Sequence, residues 1–374
     1  MIHKPTILFV HPDLRGGGAE KVLVNLLNSI DLTKYDVTLL TYFEEGINRN
    51  GLDPAIKQKF IFKKVFRGWS VIQKILTPRQ LFKLFIKGKY NVIVAYLEGV
   101  PTRMVSGCPH QGTKLISWLH IDLENFGIEK VFQSTKEMVH CYEKFDAVVA
   151  VSKRSLASLI EIADIDRSKG YVIHNVVETQ WILDNGKEKV TNIELDPQTV
   201  NLCTVGRLTR QKGYKRLVNV MGQIVKVHSN VKLYIIGDGE LKDELLELIA
   251  ENKLQDHVYL LGFQGNPHKY VAKCDLFVCS SFEEGYSTAV TESVILGTPV
   301  LTTACAGMDE ILDDGNTGMI VENSEDGLHN GLLNLLENPD LINLFKEKTQ
   351  LKSTYYQNLN NAGKVEMLFD TLLK

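Results

Sequence analysis

Short apolar runs of three to six residues alternate with longer segments of helical period along almost the whole 374-residue chain, in two separate series. Strands bounded by helices rather than by hairpin turns belong to parallel sheets covered on both faces. The first series predicts strands at residues 7–10, 37–40, 92–95, 114–118, 147–151 and 171–173, with helices at 19–29, 71–86, 131–142 and 153–163 between them. The second predicts strands at 200–205, 232–236, 258–261, 276–279, 299–302 and 318–321, after which only helices remain. Each series reads as one doubly wound α/β unit, and the chain is too long for one ordinary hydrophobic core.

Residues 178–199 are polar and poorly periodic, with turn signals at Asn185-Gly186 and Asp196-Pro197, so they are the expected linker. The domains then run over 1–177 and 200–354, and a last helix over 355–374 has no strand of its own to cover. Two such units are expected to face one another across a cleft toward which the carboxyl ends of their strands point. With 44% hydrophobic and 23% charged residues the chain is globular throughout, and a net charge of −3 gives no bulk attraction to nucleic acid. The six cysteines have no paired spacing, and the apolar run at residues 7–10 is too short for a signal peptide or a spanning helix. Free thiols and a cytoplasmic location are the expectation.

Between Asp53 and Glu98 every charged residue is basic, and phenylalanines and Trp69 are interleaved with them. That mixture suits a segment lying on an anionic lipid surface, with Lys63, Lys64, Arg67 and Trp69 facing it; the alternative is a solvated lysine face over ordinary core aromatics.

Three motifs carry candidate chemistry. Gly16-Gly17-Gly18 follows the first strand and opens the first helix, where a close backbone approach and a helix N-terminus favour an anion; its spacing is not the dinucleotide fingerprint. Gly206-Arg207 and Lys212-Gly213 occupy the loop after the first strand of the second series, so that a guanidinium and an ammonium can converge on one polyanion. Third, Ser281-Phe282-Glu283-Glu284-Gly285 leads through Tyr286, Ser287 and Thr288 into a helix carrying Glu292, expected about two turns inside it. Glu284 and Glu292 then bracket a helix N-terminus, a layout suited to a nucleotide-diphosphate sugar: sugar hydroxyls at one carboxylate, phosphates on the amides of 286–288, ribose at the other. Asp164-Ile165-Asp166 has the form of a metal-binding D-x-D but reads as a polar turn, and His11 and His110 lack metal-ligand spacing, so no metal is expected.

These motifs, with Gly237-Asp238-Gly239, Gly297-Thr298-Pro299 and Trp118-Leu119-His120, resemble the retaining glycosyltransferases of family 4, which have the GT-B fold. The resemblance implies that Arg207 and Lys212 hold the donor diphosphate, that Glu284 contacts the donor sugar and Glu292 the ribose. It further implies that Phe263 lies at the base, His120 near the transferred sugar and the Gly16–Gly18 loop at the reaction centre. A metal-independent hexosyltransferase follows, without a cofactor, taking a nucleotide sugar, most simply a UDP-hexose or UDP-N-acetylhexosamine. Its acceptor would be a glycan or a lipid-linked sugar in surface polysaccharide synthesis, met by peripheral contact with the inner face of the cell membrane. His174-Asn175-Val176 departs from the family's usual Pro-Asn-Gly turn, and Tyr286-Ser287-Thr288 from its usual apolar stretch. A catalytically silent partner of the same fold and a sugar-nucleotide epimerase are the alternatives; the retention of all four charged groups weighs against the first, the basic-aromatic segment against the second.

Overall fold

The structure is a computed structural model that describes residues 4–125, 127, 131–193, 195–359 and 361–374. It divides into two compact units, Met1–Val177 with Asn360–Lys374, and Glu178–Leu359.

The first unit is built on seven parallel strands, β1 (Thr6–His11), β2 (Asp36–Phe43), β3 (Lys57–Phe62), β4 (Val92–Ala95), β5 (Lys114–Leu119), β6 (Ala147–Ala150) and β7 (Gly170–Val172). Their order is β3-β2-β1-β4-β5-β6-β7, so the winding reverses between β1 and β4. The central strands read Ile-Leu-Phe-Val, Val-Ile-Val-Ala and Ala-Val-Val-Ala because helices bury both of their faces.

The second unit repeats the plan with β8 (Val200–Val205), β9 (Val231–Ile236), β10 (Val258–Gly262), β11 (Leu276–Cys279), β12 (Val300–Thr303) and β13 (Gly318–Val321), in the order β10-β9-β8-β11-β12-β13. Its winding reverses between β8 and β11. Leu202, Leu233, Ile235 and Val278 of the sheet pack with Leu217 and Met221 of helix Tyr214–Ile224 and with Leu328 and Leu332 of helix Glu325–Glu337.

Four sequence expectations need correction. Strand β3 was not expected, because Lys57-Gln58-Lys59-Phe60 is exposed at the sheet edge and lacks an apolar run. The single helix expected over 71–86 is two, Trp69–Ile75 and Pro78–Phe85: Leu76 ends the first, and Thr77 caps the second with a full capping box before a proline at its first position. The stretch read as a linker carries the helix Thr179–Gly186, packed inside the second unit with Gly186 against Leu296. The last helix does not start at residue 355: Tyr355 belongs to the helix Pro339–Gln357 of the second unit, and the last helix is Asn361–Leu373 of the first.

The helix Asn361–Leu373 is held by its own apolar face and by polar ties. Phe369 is fully buried, edge-on to Phe9 and Tyr35, and the Tyr35 hydroxyl donates to Asp370 at 2.7 Å. The Asp31 backbone N–H donates to Glu366, and the Asn361 side chain donates to the carbonyl of Asn175.

Trp69 does not face outward. It is 7% exposed and stacks edge-on with Tyr42, Phe62 and Phe85 in the first unit's core, so it is no part of a membrane-facing surface. Lys63, Lys64 and Arg67 are exposed.

Candidate functional site

In an open doubly wound sheet the loops after the strands at the reversal point diverge to opposite faces and leave room for a ligand at the carboxyl edge. In the second unit those strands are β8 and β11. The motif Gly206–Gly213 follows the one and Ser281–Glu292 the other, so strand order brings together groups about seventy positions apart.

The two loops are stitched to each other. Phe282 N–H donates to the Gln211 carbonyl at 2.8 Å, Gln211 Nε2 to the Glu283 carbonyl at 3.0 Å, and the Ser280 hydroxyl to the Lys212 carbonyl at 2.9 Å. Gly213 turns the chain there with φ +66°, and a Cβ on it would lie 2.0 Å from the Ser280 carbonyl oxygen, so only glycine fits. Arg216, which the sequence reading overlooked, is buried on the next helix. Its Nε and Nη2 donate to the Ser280 carbonyl at 2.8 and 2.6 Å, and Nη2 also to the Ser281 carbonyl, while the guanidinium lies 3.9 Å from the Phe282 ring centre.

This frame sets the central contact. Lys212 Nζ donates to Glu284 Oε1 at 2.7 Å, and the Ser281 hydroxyl donates to the same oxygen at 2.7 Å. Glu284 Oε2 has no protein partner among the described residues. Burial opposes the charge on Lys212, yet Glu284 outweighs it and holds the lysine above its usual pKa. The expected diphosphate-holding cation and sugar-binding carboxylate are therefore each other's partners in the structure. Arg207 is exposed on the loop just after Gly206, whose missing side chain leaves room for the Tyr214 hydroxyl.

Helix Thr288–Ile295 begins later than expected, so Glu292 sits little more than one turn inside it. Ser287 is the N-cap, its hydroxyl accepting from Val290 N–H, and Thr288 opens the first turn. Tyr286 is buried, its hydroxyl 3.2 Å from that of Tyr356, so its side chain faces the interior rather than a ligand. Glu292 Oε2 bonds His268 Nε2 at 3.0 Å, and His268 is 1% exposed with the Trp181 ring edge-on to it. His268 holds Glu292 in place, and nothing in sequence spacing signals a pairing across 24 positions. Phe263 follows β10 and is 70% exposed, an unusual state for a phenylalanine and consistent with an open stacking face.

In the first unit the reversal point gathers the ends of β1 and β4, with β5 beside them. Gly16 turns the loop at φ +131°, Gly17 is the extended N-cap and Gly18 opens helix Gly18–Ser29. His120, just past β5, donates its backbone N–H to Glu98 Oε2 at 2.8 Å and packs on Tyr96. Burial pushes the Glu98 carboxyl up to about 7. It pushes the imidazoles of His120 and His11 down to about 3 and about 4, so both are neutral near pH 7. His11 Nδ1 lies 2.7 Å from the Asp13 carbonyl, which can only accept; the proton is on Nδ1 and the buried Nε2 is an unpaired acceptor. Sequence alone assigned no role here to Glu98 or His11: Glu98 marks only the end of 44 residues without an acid, and His11 only lacks metal-ligand spacing. Asp164 and Asp166 serve as the C-cap of helix Lys153–Ala163 and the N-cap of the turn Arg167–Lys169. Among the described residues no helix is long and apolar enough to cross a membrane, and no three metal-binding side chains gather.

The chain matches two protein families: residues 16–181 the family described as Glycosyltransferase Family 4, and residues 187–352 Glycosyl transferases group 1. It is 32% identical, over 95% of its own length and 96% of the other's, to the N-acetylgalactosamine-N,N'-diacetylbacillosaminyl-diphospho-undecaprenol 4-alpha-N-acetylgalactosaminyltransferase of Campylobacter jejuni. Its fold is that of sucrose-phosphate synthase from Thermosynechococcus elongatus, with a TM-score of 0.81 at 15% identity over 99% of both chains. It also matches Anabaena HepE, solved in complex with UDP-glucose, with a TM-score of 0.73 at 18% identity over 98% of this chain and 99% of that one. The fold is GT-B.

Proposed function

Because this chain belongs to the family 4 glycosyltransferases, we propose that it moves a hexose or N-acetylhexosamine, with retention, from a UDP-sugar to a glycan or lipid-linked acceptor in the making of a bacterial surface glycoconjugate. The observation that carries this reading is the Lys212–Glu284 pair at the carboxyl edge of the second sheet. A diphosphate dianion competes with the carboxylate for Lys212, and its arrival frees Glu284 to accept from hydroxyls of the donor sugar. As the bond between the anomeric carbon and the phosphate oxygen breaks, its electron pair goes to the diphosphate. Lys212, Arg207 and the amides at the start of helix Thr288–Ile295 stabilise that charge. The acceptor hydroxyl attacks the same face of the sugar and its proton passes to the departing phosphate. Glu292, oriented by His268, takes the ribose hydroxyls, and Phe263 offers its face to the base. Two cations and a helix terminus provide the charge that a metal ion would otherwise supply.

The printed name of the Campylobacter relative describes transfer of N-acetylgalactosamine onto a diphospho-undecaprenol-linked sugar, and HepE was solved with UDP-glucose; both support these substrate classes here. The test is a panel of UDP-, GDP- and ADP-sugars read by thermal stabilisation. A UDP-sugar at a hundred times its Kd should add about 2.7 kcal/mol, several degrees of melting temperature. Stabilisation by a GDP- or ADP-sugar alone would overturn the donor assignment.

Peripheral contact with the inner face of the cell membrane belongs to the same reading. Exposed Val65, Phe66, Val71 and Ile75, the last 69% exposed, lie in sequence among Lys63, Lys64, Arg67 and Lys74. Neutralising Lys63, Lys64 and Arg67 should reduce co-sedimentation with anionic liposomes several-fold, whereas an unchanged pellet would favour a merely solvated face.

A further inference from the structure

Beside edge strand β3 of the first unit the structure has a cavity of about 330 Å³. Leu8 of β1 and Leu40 of β2 are buried and line it together with Phe85, while Lys59, Lys87 and Tyr90 supply its polar groups. Lys59 Nζ donates to the Tyr90 hydroxyl at 3.2 Å, which leaves that hydroxyl's own proton to be donated elsewhere. Lys87 Nζ donates to the Lys83 carbonyl at 2.7 Å. Neither ammonium has a carboxylate partner among the described residues.

Lysine stems commonly lie along apolar surface while the ammonium reaches water. Here two of them, 28 positions apart, line a hollow whose remaining walls are leucine and phenylalanine. A free sugar would leave that apolar surface unmatched, and inorganic phosphate would leave it empty. A hydrocarbon alone would leave the cations without a partner. The arrangement fits a ligand with an anionic end and an apolar body. Ligand pockets span roughly 300–1,000 Å³, so the volume admits a head group and the first carbons of a chain rather than a whole lipid, and the half-exposed Phe60 of its lining offers a surface for the remainder. We propose that the cavity lined by Lys59, Lys87 and Tyr90 over Leu8, Leu40 and Phe85 binds the phosphate-bearing end of an apolar chain. The inference rests on the reading above that the protein works at a lipid surface, and it gives that surface a defined contact.

The test is calorimetric titration of the full chain, without nucleotide sugar, using decyl phosphate below its micelle concentration, decanol and inorganic phosphate. Decyl phosphate should bind at least about tenfold more tightly than either half of it. Lys59→Gln with Lys87→Gln should weaken it by about tenfold or more, since each lysine near an anionic head contributes roughly fivefold. Tyr90→Phe, which keeps the ring, should weaken it less. Equal affinity for decanol and decyl phosphate, or an unchanged affinity in the folded double variant, would overturn the proposal. If the double variant does not fold, the same loss is sought in Lys87→Gln alone, an exposed residue, and in the salt dependence of the wild type; an affinity indifferent to both overturns it. Competition by geranyl diphosphate or by dihexanoyl phosphatidylglycerol identifies a prenyl carrier or a membrane phospholipid as the source, and competition by neither contradicts the assignment. The assay contains no donor, so its failure is distinguishable from a failure of sugar transfer.

Discussion

Glu98 shows how far a single buried side chain can depart from its ordinary chemistry. Water is withdrawn from its carboxyl, and the N–H of His120 only partly compensates, so it ionises near 7 in the native protein instead of 4.5. The unfolded chain has lost this proton by pH 5 while the native state still holds it. Stability therefore falls as pH rises from about 4.5 to about 7, and above pH 7 the full cost, on the order of 3 kcal/mol, is present. Glu98→Gln keeps an acceptor for His120 N–H and removes the charge. Its urea midpoint should match wild type near pH 4 and exceed it at pH 8; equal midpoints at both would refute the burial argument. His11 and His120 act with the opposite sign in both proteins and cancel in the comparison: their lowered values mean that stability falls as pH drops below about 6.5. Lys212 and Glu284 could be singled out in the sequence as candidate functional residues because charge at a strand end has few bland explanations. Their direct pairing was not, and neither were Arg216 and His268, because a spacing of 64 or 24 residues says nothing about contact until strand order is known.

Among the elements, the central strands were readable almost to the residue because burial on both faces demands uninterrupted apolar runs. Strand β3 was not, since an edge strand needs no such run and here wears lysines that discourage further pairing. The same composition made Trp69 look like a surface residue, although Trp69 and Phe62 turn inward while Lys57, Lys59 and Phe60 of β3 are exposed. Helix Asn361–Leu373 was visible as amphipathic, but its seat depends on Phe9 and Tyr35, more than 300 positions away. Phe369→Ala should cost about 3–5 kcal/mol in unfolding of the first unit, the usual price of a buried phenylalanine. A loss below about 1 kcal/mol would mean that the helix is only loosely attached.

For the molecule as a whole, the net charge of −3 is a cancellation. Residues 1–177 carry 24 Lys and Arg against 17 Asp and Glu, and the remainder 18 against 28. The second unit spends its few placed cations around one loop pair, where Lys212 is already matched to Glu284. In the first unit residues 54–97 contain no acid, although Lys57 of β3 pairs with Asp36 of β2, and that excess of positive charge suits a surface that meets anionic lipid. Two doubly wound units and the motif-bearing loops after their strands followed from alternation and motif spacing, whereas the strand order and its reversal points came from the structure. The internal bonding of each site did not, because it is set by side chains converging from different strands. The measurement that bears most directly on the account is single-turnover cleavage of the UDP-sugar found in the panel, comparing wild type with Lys212→Ala at saturating donor and acceptor. The account predicts a rate constant lower by about 10²–10³-fold with folding intact, and cleavage at a near-wild-type rate would contradict it.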